Sequence, residues 1–230
     1  MTSTDFDQLA RIYSAEKINP WNDLYERPNA IRLMGDVVGK KVLDAGCGGG
    51  KHIADLRAKG AELSGFDLSA EMLKFAQDVH GDAVDLKVAN LAEPLPYDTE
   101  EFDAILCSLA MHYLKDWSQP LAELHRLLKL GGHLVMSTHH PFMDHQLAGG
   151  ENYFAHKLIE DSWTKNGRTM HVRYYRRSLT QMVQEISKAG FKIASIEEPM
   201  PLPETKEQFP DAYAKLTTQP RFIFFKLVKT

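Results

Sequence analysis

Nine consecutive residues, Val42-Leu43-Asp44-Ala45-Gly46-Cys47-Gly48-Gly49-Gly50, set a short apolar run directly before a carboxylate and a series of glycines. Glycines let a backbone turn sharply and lie close against a ligand, and the strand-loop-helix layout points its N–H groups outward, so this is a loop built for a nucleoside. A dinucleotide loop reads G-x-G-x-x-G, with pyrophosphate on the helix N-terminus and the third glycine in helix–strand packing. Counted from Gly46, that pattern finds Gly48 but then Lys51. What fits is acid-x-G-x-G-x-G, with Asp44, Gly46, Gly48 and Gly50 in place. A carboxylate here suits a cationic ligand and would repel a pyrophosphate. An NAD(P)-dependent oxidoreductase is therefore the disfavoured alternative.

The elements that must position these residues can be read on either side. From Lys51 to Lys59, apolar residues at Ile53, Ala54 and Leu56 followed by Gly60 predict a helix with a C-terminal glycine. Ala61 to Asp67 reads as a second strand ending in an acid, and Asp67 lies 21 positions after Gly46. That is the distance at which nucleoside-binding βαβ units place a carboxylate on the ribose hydroxyls. Ser69, three residues before Met72, is the better helix cap, which leaves Asp67 for the ligand. Val84 to Asn90 alternates as a third strand, and Pro94 and Pro96 then exclude regular structure. Alternation of helices and strands from Ile31 to Ser137 gives βαβ units, right-handed crossovers and a ligand at the carboxyl edges of the strands.

The loop resembles motif I of the class I S-adenosylmethionine-dependent methyltransferases, and the chain is most similar to their broad type 11 group. The likeness is strong from Lys40 to Thr138, where Glu101 to Ser108 and Leu130 to Ser137 resemble the fourth strand and the glycine turn and strand that follow it. It implies an α/β, Rossmann-like, mostly parallel sheet of seven strands with an antiparallel last strand, and S-adenosylmethionine as cofactor. It also implies a binding set: the loop with Gly46, Cys47, Gly48 and Gly50 under the methionine moiety, Asp44 near its ammonium, and Asp67 on the ribose. Leu68 and Met72 would flank the adenine, Asn90 would meet its amino group, Leu91 would present its backbone, and Ser108 completes the set. The whole chain, 1–230, is expected to form one domain: a helical N-terminal segment (1–39), the cofactor-binding core (40–138), a cap insertion (139–177), and a final helix and strands (178–230).

Methyl transfer from a sulfonium needs alignment and exclusion of water, and a base only if the acceptor arrives protonated. Candidate bases are His112, just past the fourth strand, and His139 and His140, just past the fifth. His139, His140, Asp144 and His145 are ligand types close together, but their spacing matches no helical or knuckle site, so no metal is expected. The segment from His139 to Tyr175 is rich in aromatics and histidines, and Asn166-Gly167 between two strand-like runs predicts a β-hairpin. Read as a cap over the site, it offers Tyr153, Phe154, Trp163 and Arg173, with Tyr113 from the core, as acceptor-binding residues, and Arg176 and Arg177 as further cations. The proline-punctuated stretch from Pro199 to Pro220 comes within reach of the same acceptor.

The place after the fourth strand reads Ser108-Leu109-Ala110-Met111-His112-Tyr113. It lacks the acid or amide followed by Pro-Pro-aromatic of nucleobase amino methyltransferases, and the glutamate pair of arginine methyltransferases is also missing. A small acceptor, methylated at oxygen or nitrogen, or at carbon, is the reading that remains, with a non-catalytic S-adenosylmethionine-binding protein as its alternative. The net charge of −4 argues against a surface that tracks phosphates, so no nucleic acid partner is expected. No apolar run reaches the length of a membrane span, and the acidic, polar N-terminus is unlike a signal peptide. Two cysteines, Cys47 and Cys107, indicate no disulfide framework. The expectation is a cytoplasmic monomer or homodimer.

Overall fold

A parallel sheet covered by helices on both faces requires strands in which consecutive side chains are apolar. The computed structural model describes residues 18–165 and 168–230, without the side chains of 163–170. Val42 and Leu43 show the requirement at work. Val42 is buried with Ile31, Met34, Ile53 and Leu56 on one face of the sheet, and Leu43 with Leu121, Leu124, Met182 and Ile186 on the other. Ala104 and Leu106 then share the first face while Ile105 and Cys107 share the second, and Phe224 and Phe225 divide likewise, as a two-residue period demands.

The elements are α1 (Arg27–Met34), β1 (Lys41–Ala45), α2 (Lys51–Ala58), β2 (Glu62–Asp67), α3 (Ala70–His80), β3 (Asp85–Val88), β4 (Phe102–Ser108), α4 (Ser118–Leu127) and β5 (Leu128–His139). There follow α5 (Pro141–Leu147), β6 (Lys157–Lys165), β7 (Arg168–Arg176), α6 (Leu179–Lys188), β8 (Phe191–Glu197), α7 (Thr205–Gln208), α8 (Pro210–Leu216) and β9 (Phe222–Lys229). Seven strands form one sheet in the order β3-β2-β1-β4-β5-β9-β8. It is parallel from β3 to β5, and β9 runs antiparallel to both β5 and β8. This is the Rossmann-like arrangement with an antiparallel last strand. The order reverses between β1 and β4, which opens a crevice at their carboxyl ends.

Three local differences from the sequence reading have physical causes. The third strand stops at Val88, because Asn90 closes a turn with its own side chain, accepting from Ala92 N at 3.0 Å. The expected glycine turn before the fifth strand lies inside it: β5 begins at Leu128, and Gly131 takes φ +77 where the pairing with β4 shifts register between Phe102 and Ala104. Such a bulge needs a residue tolerant of positive φ. At the N-terminus, a π-helical turn at Asn22–Glu26 leads directly into α1. The hairpin after β5 is present, with Leu158 opposite Tyr175 and Lys165 opposite Arg168. Its tip, Asn166-Gly167, lies outside the described residues, as does the chain before residue 18. No helix among the described residues is long and apolar enough to cross a membrane.

Candidate functional site

A cavity of about 1000 Å³ runs along the carboxyl edge of the sheet. At one end lies the loop between β1 and α2. Gly48 sits there at φ +52, with open space where a side chain would project, and its N–H donates to Asp67 Oδ2 at 2.8 Å. Asp67 Oδ1 accepts from Ser69 N at 2.9 Å, and the Ser69 hydroxyl in turn caps α3 by accepting from Met72 N. Leu68, Met72, Phe75 and Val79 form an apolar shelf beside this carboxylate, with Leu68 and Val79 more than half exposed. A glycine cradle, a carboxylate and an apolar shelf fit the tail, ribose and base of a nucleoside.

Of the residues the sequence offered for cofactor, Gly46, Cys47, Gly48, Asp67, Leu68, Met72, Asn90, Leu91 and Ser108 line this cavity. Two do not. Gly50 starts α2 in a packed setting, where its carbonyl lies 2.9 Å from His80 Nε2. Asp44 lies beneath the loop, almost wholly buried, and neither of its oxygens has a hydrogen-bond partner. Burial pushes its carboxyl up to about 7, with nearby Asp67 and Glu26 adding to the rise against the opposing pull of His52. The Asn90 amide is engaged locally as well, donating to Glu93 Oε1 at 3.0 Å.

The N-terminal turn spans the cavity from the glycine loop to β9, with Tyr25 stacked on Phe222 at 5.6 Å, and the sequence reading did not find it. Asn19 Oδ1 accepts from Trp21 N and Asn22 N while Asn19 N donates to Asp23 Oδ2, which fixes the turn. Asp23 then receives Lys51 Nζ at 3.0 Å and Arg27 at 3.1 Å. Glu26, fully buried, accepts from Ser108 Oγ at 2.8 Å and Ser137 Oγ at 2.6 Å, and faces His52 Nε2 at 3.0 Å. Burial alone would raise Glu26, but His52 and the two hydroxyls bring it below the usual carboxylate value. Burial would likewise lower His52, and Glu26 raises it instead. One carboxylate thus ties α1 to the ends of β4 and β5. The only signal for it in the sequence is Lys51-His52 directly after the glycines, two side chains able to reach acids.

At the other end, His112, Tyr113 and His139 line the cavity with Met143, Leu147, Lys215, Gln219, Arg221 and Phe222. Leu109, between β4 and this group, holds φ +47, a conformation rare for leucine that marks functional sites more often than plain loops. His112 and His139 stack with centroids 4.0 Å apart, and Tyr174 closes on His139 edge-on at 4.6 Å. Burial drives the His139 imidazole down to about 3, with the Arg221 charge adding to the effect. His112 is lowered by burial and by His139, and both its ring nitrogens are buried without a partner. Asp144 Oδ1 is 3.3 Å from His139 Nδ1, and burial raises its carboxyl to about 7.

The remaining candidates are placed elsewhere. His140 points its Nε2 at Glu198 Oε1, 2.6 Å away, and its Nδ1 accepts from Phe142 N as the cap of α5. The Tyr153 hydroxyl accepts from Leu179 N at 2.9 Å and so supports the start of α6, while Phe154 is 70% exposed. Arg173 pairs with Glu160 across the hairpin. Arg176 donates to Asn152 O and Ala155 O, and Arg177 to Leu114 O and Lys115 O, both cations being buried in structural roles. The side chain of Trp163 is outside the described ones. Among the described residues, the hairpin therefore backs the cavity wall through Tyr174 and does not line it; α5 and the approach to β9 do.

Residues 43–136 match the family model of a methyltransferase domain. An uncharacterized protein of Haemophilus influenzae is 29% identical over a 261-residue alignment covering 98% of this chain and 96% of that one. The malonyl-[acyl-carrier protein] O-methyltransferase of Erwinia billingiae is 41% identical over 100 residues, 44% of this chain, which thus spans only 39% of that enzyme. The crystal structure of an S-adenosylmethionine-dependent methyltransferase from Mesorhizobium loti superimposes with a TM-score of 0.70 at 25% identity, covering 88% of this chain and 96% of that one. With the glycine loop, the Asp67 carboxylate and the strand order already in place, residues 43–136 carry a methyltransferase domain, in a fold shared with S-adenosylmethionine-dependent methyltransferases.

Proposed function

We propose that this protein transfers a methyl group from S-adenosylmethionine to a small-molecule acceptor at oxygen or nitrogen. The observation that carries this reading is the single cavity shared by the Gly48–Asp67 pair and the His112–His139 pair. Asp67 ends β2 and Phe222 begins antiparallel β9, four strand positions away, which is about 19 Å at the usual spacing. That span leaves room for two ligands end to end.

Gly46, Cys47 and Gly48 would hold the methionine portion, Asp67 the ribose, and Leu68, Met72 and Phe75 the adenine, with Asn90 and Leu91 at its edge. A carboxylate offers about four acceptor sites, so bracing the loop and receiving ribose hydroxyls are compatible. When bound, the cofactor supplies a methyl group activated by the sulfonium. The chain's own part is to align the acceptor and exclude water, through the apolar and aromatic wall of Met143, Leu147, His139 and Phe222.

His139 serves this wall as a neutral ring. With its imidazole near 3, removing a proton from a phenol, whose ordinary value is about 10, would be uphill by several kcal/mol. Acceptors that present a lone pair without losing a proton first, such as carboxylates, enolates or neutral amines, suit it better. The name of the Erwinia relative supports oxygen. A single chain supplies the whole described lining, so this reading needs no second subunit, and two free, buried thiols accord with a cytoplasmic setting. The test is a screen of carboxylic acids, phenols and amines with methyl-labelled cofactor. Labelled product is expected from one class; binding of S-adenosylhomocysteine with no product from any class would favour a non-catalytic binding protein, and binding of NAD in its place would favour an oxidoreductase.

A further inference from the structure

Arg221 is the residue that precedes β9, and its carbonyl accepts from His140 N at 3.0 Å, which pins it beside the end of β5. Its guanidinium lies 5.7 Å from the centre of the Trp21 ring, within cation–π range, and faces the cavity half-buried. Among the described residues it makes no hydrogen bond or ion pair through that guanidinium. In this it differs from four other arginines. Arg27 is held by Asp23 and Asp55, Arg126 by Glu123, Arg173 by Glu160 and Arg177 by Glu185. Lys215 and Gln219 line the same rim.

The cavity lining carries acids as well as Arg221. Asp67 and Asp78 lie toward the glycine loop, where a cationic cofactor would sit, and Asp23 and Glu26, on the turn that spans the cavity, already have basic partners of their own. Arg221 lies at the β9 end, four strand positions from Asp67, with its guanidinium over Trp21 of the N-terminal turn. Arg221 acts on that end: its charge contributes to the lowering of both His112 and His139 and opposes the rise of Asp144. A neutral acceptor seated there would shut a guanidinium away from water with no hydrogen-bond acceptor to meet it, whereas an oxyanion would meet a planar fork suited to two parallel hydrogen bonds.

We propose that the acceptor is a small molecule carrying an anionic oxygen group, a carboxylate or a phosphate, and that Arg221 receives that group. This inference rests on the methyl-transfer reading above. His112, His139 and Phe222, stacked on one another, line the space beside Arg221, and Arg221 sets the acceptor's orientation by holding its charged end.

The experiment titrates protein saturated with S-adenosylhomocysteine with benzoate, phenyl phosphate and neutral benzamide, following binding by NMR or calorimetry. At least one anion is expected to bind tenfold or more tightly than benzamide, and the tighter of the two tells carboxylate from phosphate. Arg221→Gln is expected to remove that preference while keeping S-adenosylhomocysteine affinity within threefold, and Arg221→Lys to retain part of it. In the wild type, raising the salt from low to high should weaken the anion and leave benzamide unchanged, a readout that needs no variant. Equal binding of benzamide and the anions, no binding of either anion to protein that binds S-adenosylhomocysteine, or an unaltered preference in folded Arg221→Gln would overturn the proposal. Failure of the wild type to bind S-adenosylhomocysteine would instead sink the methyl-transfer reading, and the same three probes on the unliganded protein would still decide the role of Arg221.

Discussion

The Gly48 amide donates to Asp67 Oδ2 at 2.8 Å, while Asp67 Oδ1 holds Ser69 N at 2.9 Å. One carboxylate at the end of β2 therefore braces the glycine loop that follows β1 and the turn that starts α3. Two segments 19 residues apart are made rigid by the group proposed above to receive the ribose hydroxyls. Preorganisation of this kind lowers the ordering cost of binding.

Asp67→Ala is accordingly expected to weaken S-adenosylhomocysteine binding by about 2 to 4 kcal/mol, from the loss of charge-assisted hydrogen bonds to ligand and loop together. That corresponds to roughly 30-fold to 1000-fold in Kd. Isothermal calorimetry on the folded variant measures it, and wild-type affinity would remove Asp67 from the site.

Gly48→Val should abolish cofactor binding without unfolding the chain. The residue sits at φ +52, where valine is strained, and its side chain would project into the open cavity and not into a neighbour. Circular dichroism should stay native while calorimetry with S-adenosylhomocysteine shows no heat. A folded variant that binds as the wild type does would mean that the loop does not face the ligand.

The Glu26–His52 pair should give stability a defined pH window. Glu26 is lowered below its ordinary 4.5 in the fold, so its contribution is present above that value and lost as pH falls through the lowered one. His52 is raised above its ordinary 6.5, so its contribution is complete below 6.5 and lost as pH rises through the raised value. Both are in force between about 4.5 and 6.5. Urea unfolding should therefore show a larger gap between wild type and His52→Asn at pH 5.5 than at pH 8.5. Glu26→Ala, which strands His52 and two hydroxyls, should cost about 3 to 5 kcal/mol at the lower pH. A gap that is the same at both pH values would show that the pair carries no linked proton.

What could be read in advance follows from how locally each feature is encoded. The Asp44 to Asp67 unit lies in one βαβ segment, and its glycine spacing, its Ser69 cap and its terminal acid are all set by neighbours in the chain. The rest of the cavity is assembled by topology. Glu26 meets Ser137 across 111 positions, and Arg221 reaches His140 only because β9 inserts beside β5 in the reverse direction. No spacing in the sequence carries those meetings. The aromatic richness of 139–175 was visible, but composition does not tell which face a side chain takes. Tyr153 and Phe154 turn to α6 and to solvent, while Met143 and Leu147, which look like ordinary helix residues, face the cavity.

Acceptor selection should consequently map to α5 and not to the hairpin. Met143 and Leu147 are one helical turn apart on α5 and present the same face to the cavity, so truncating either enlarges the acceptor end without touching the Gly48–Asp67 end. Met143→Ala and Leu147→Ala should each change the apparent affinity or turnover of whichever acceptor the labelled screen yields, and keep S-adenosylhomocysteine affinity within about threefold, a shift below 1 kcal/mol. Tyr153→Phe is the control. It removes the hydroxyl that accepts from Leu179 N, so it should lower stability by about 0.5 to 1.5 kcal/mol and leave acceptor kinetics as they were. Kinetics altered by Tyr153→Phe and untouched by both α5 variants would return acceptor choice to the hairpin segment.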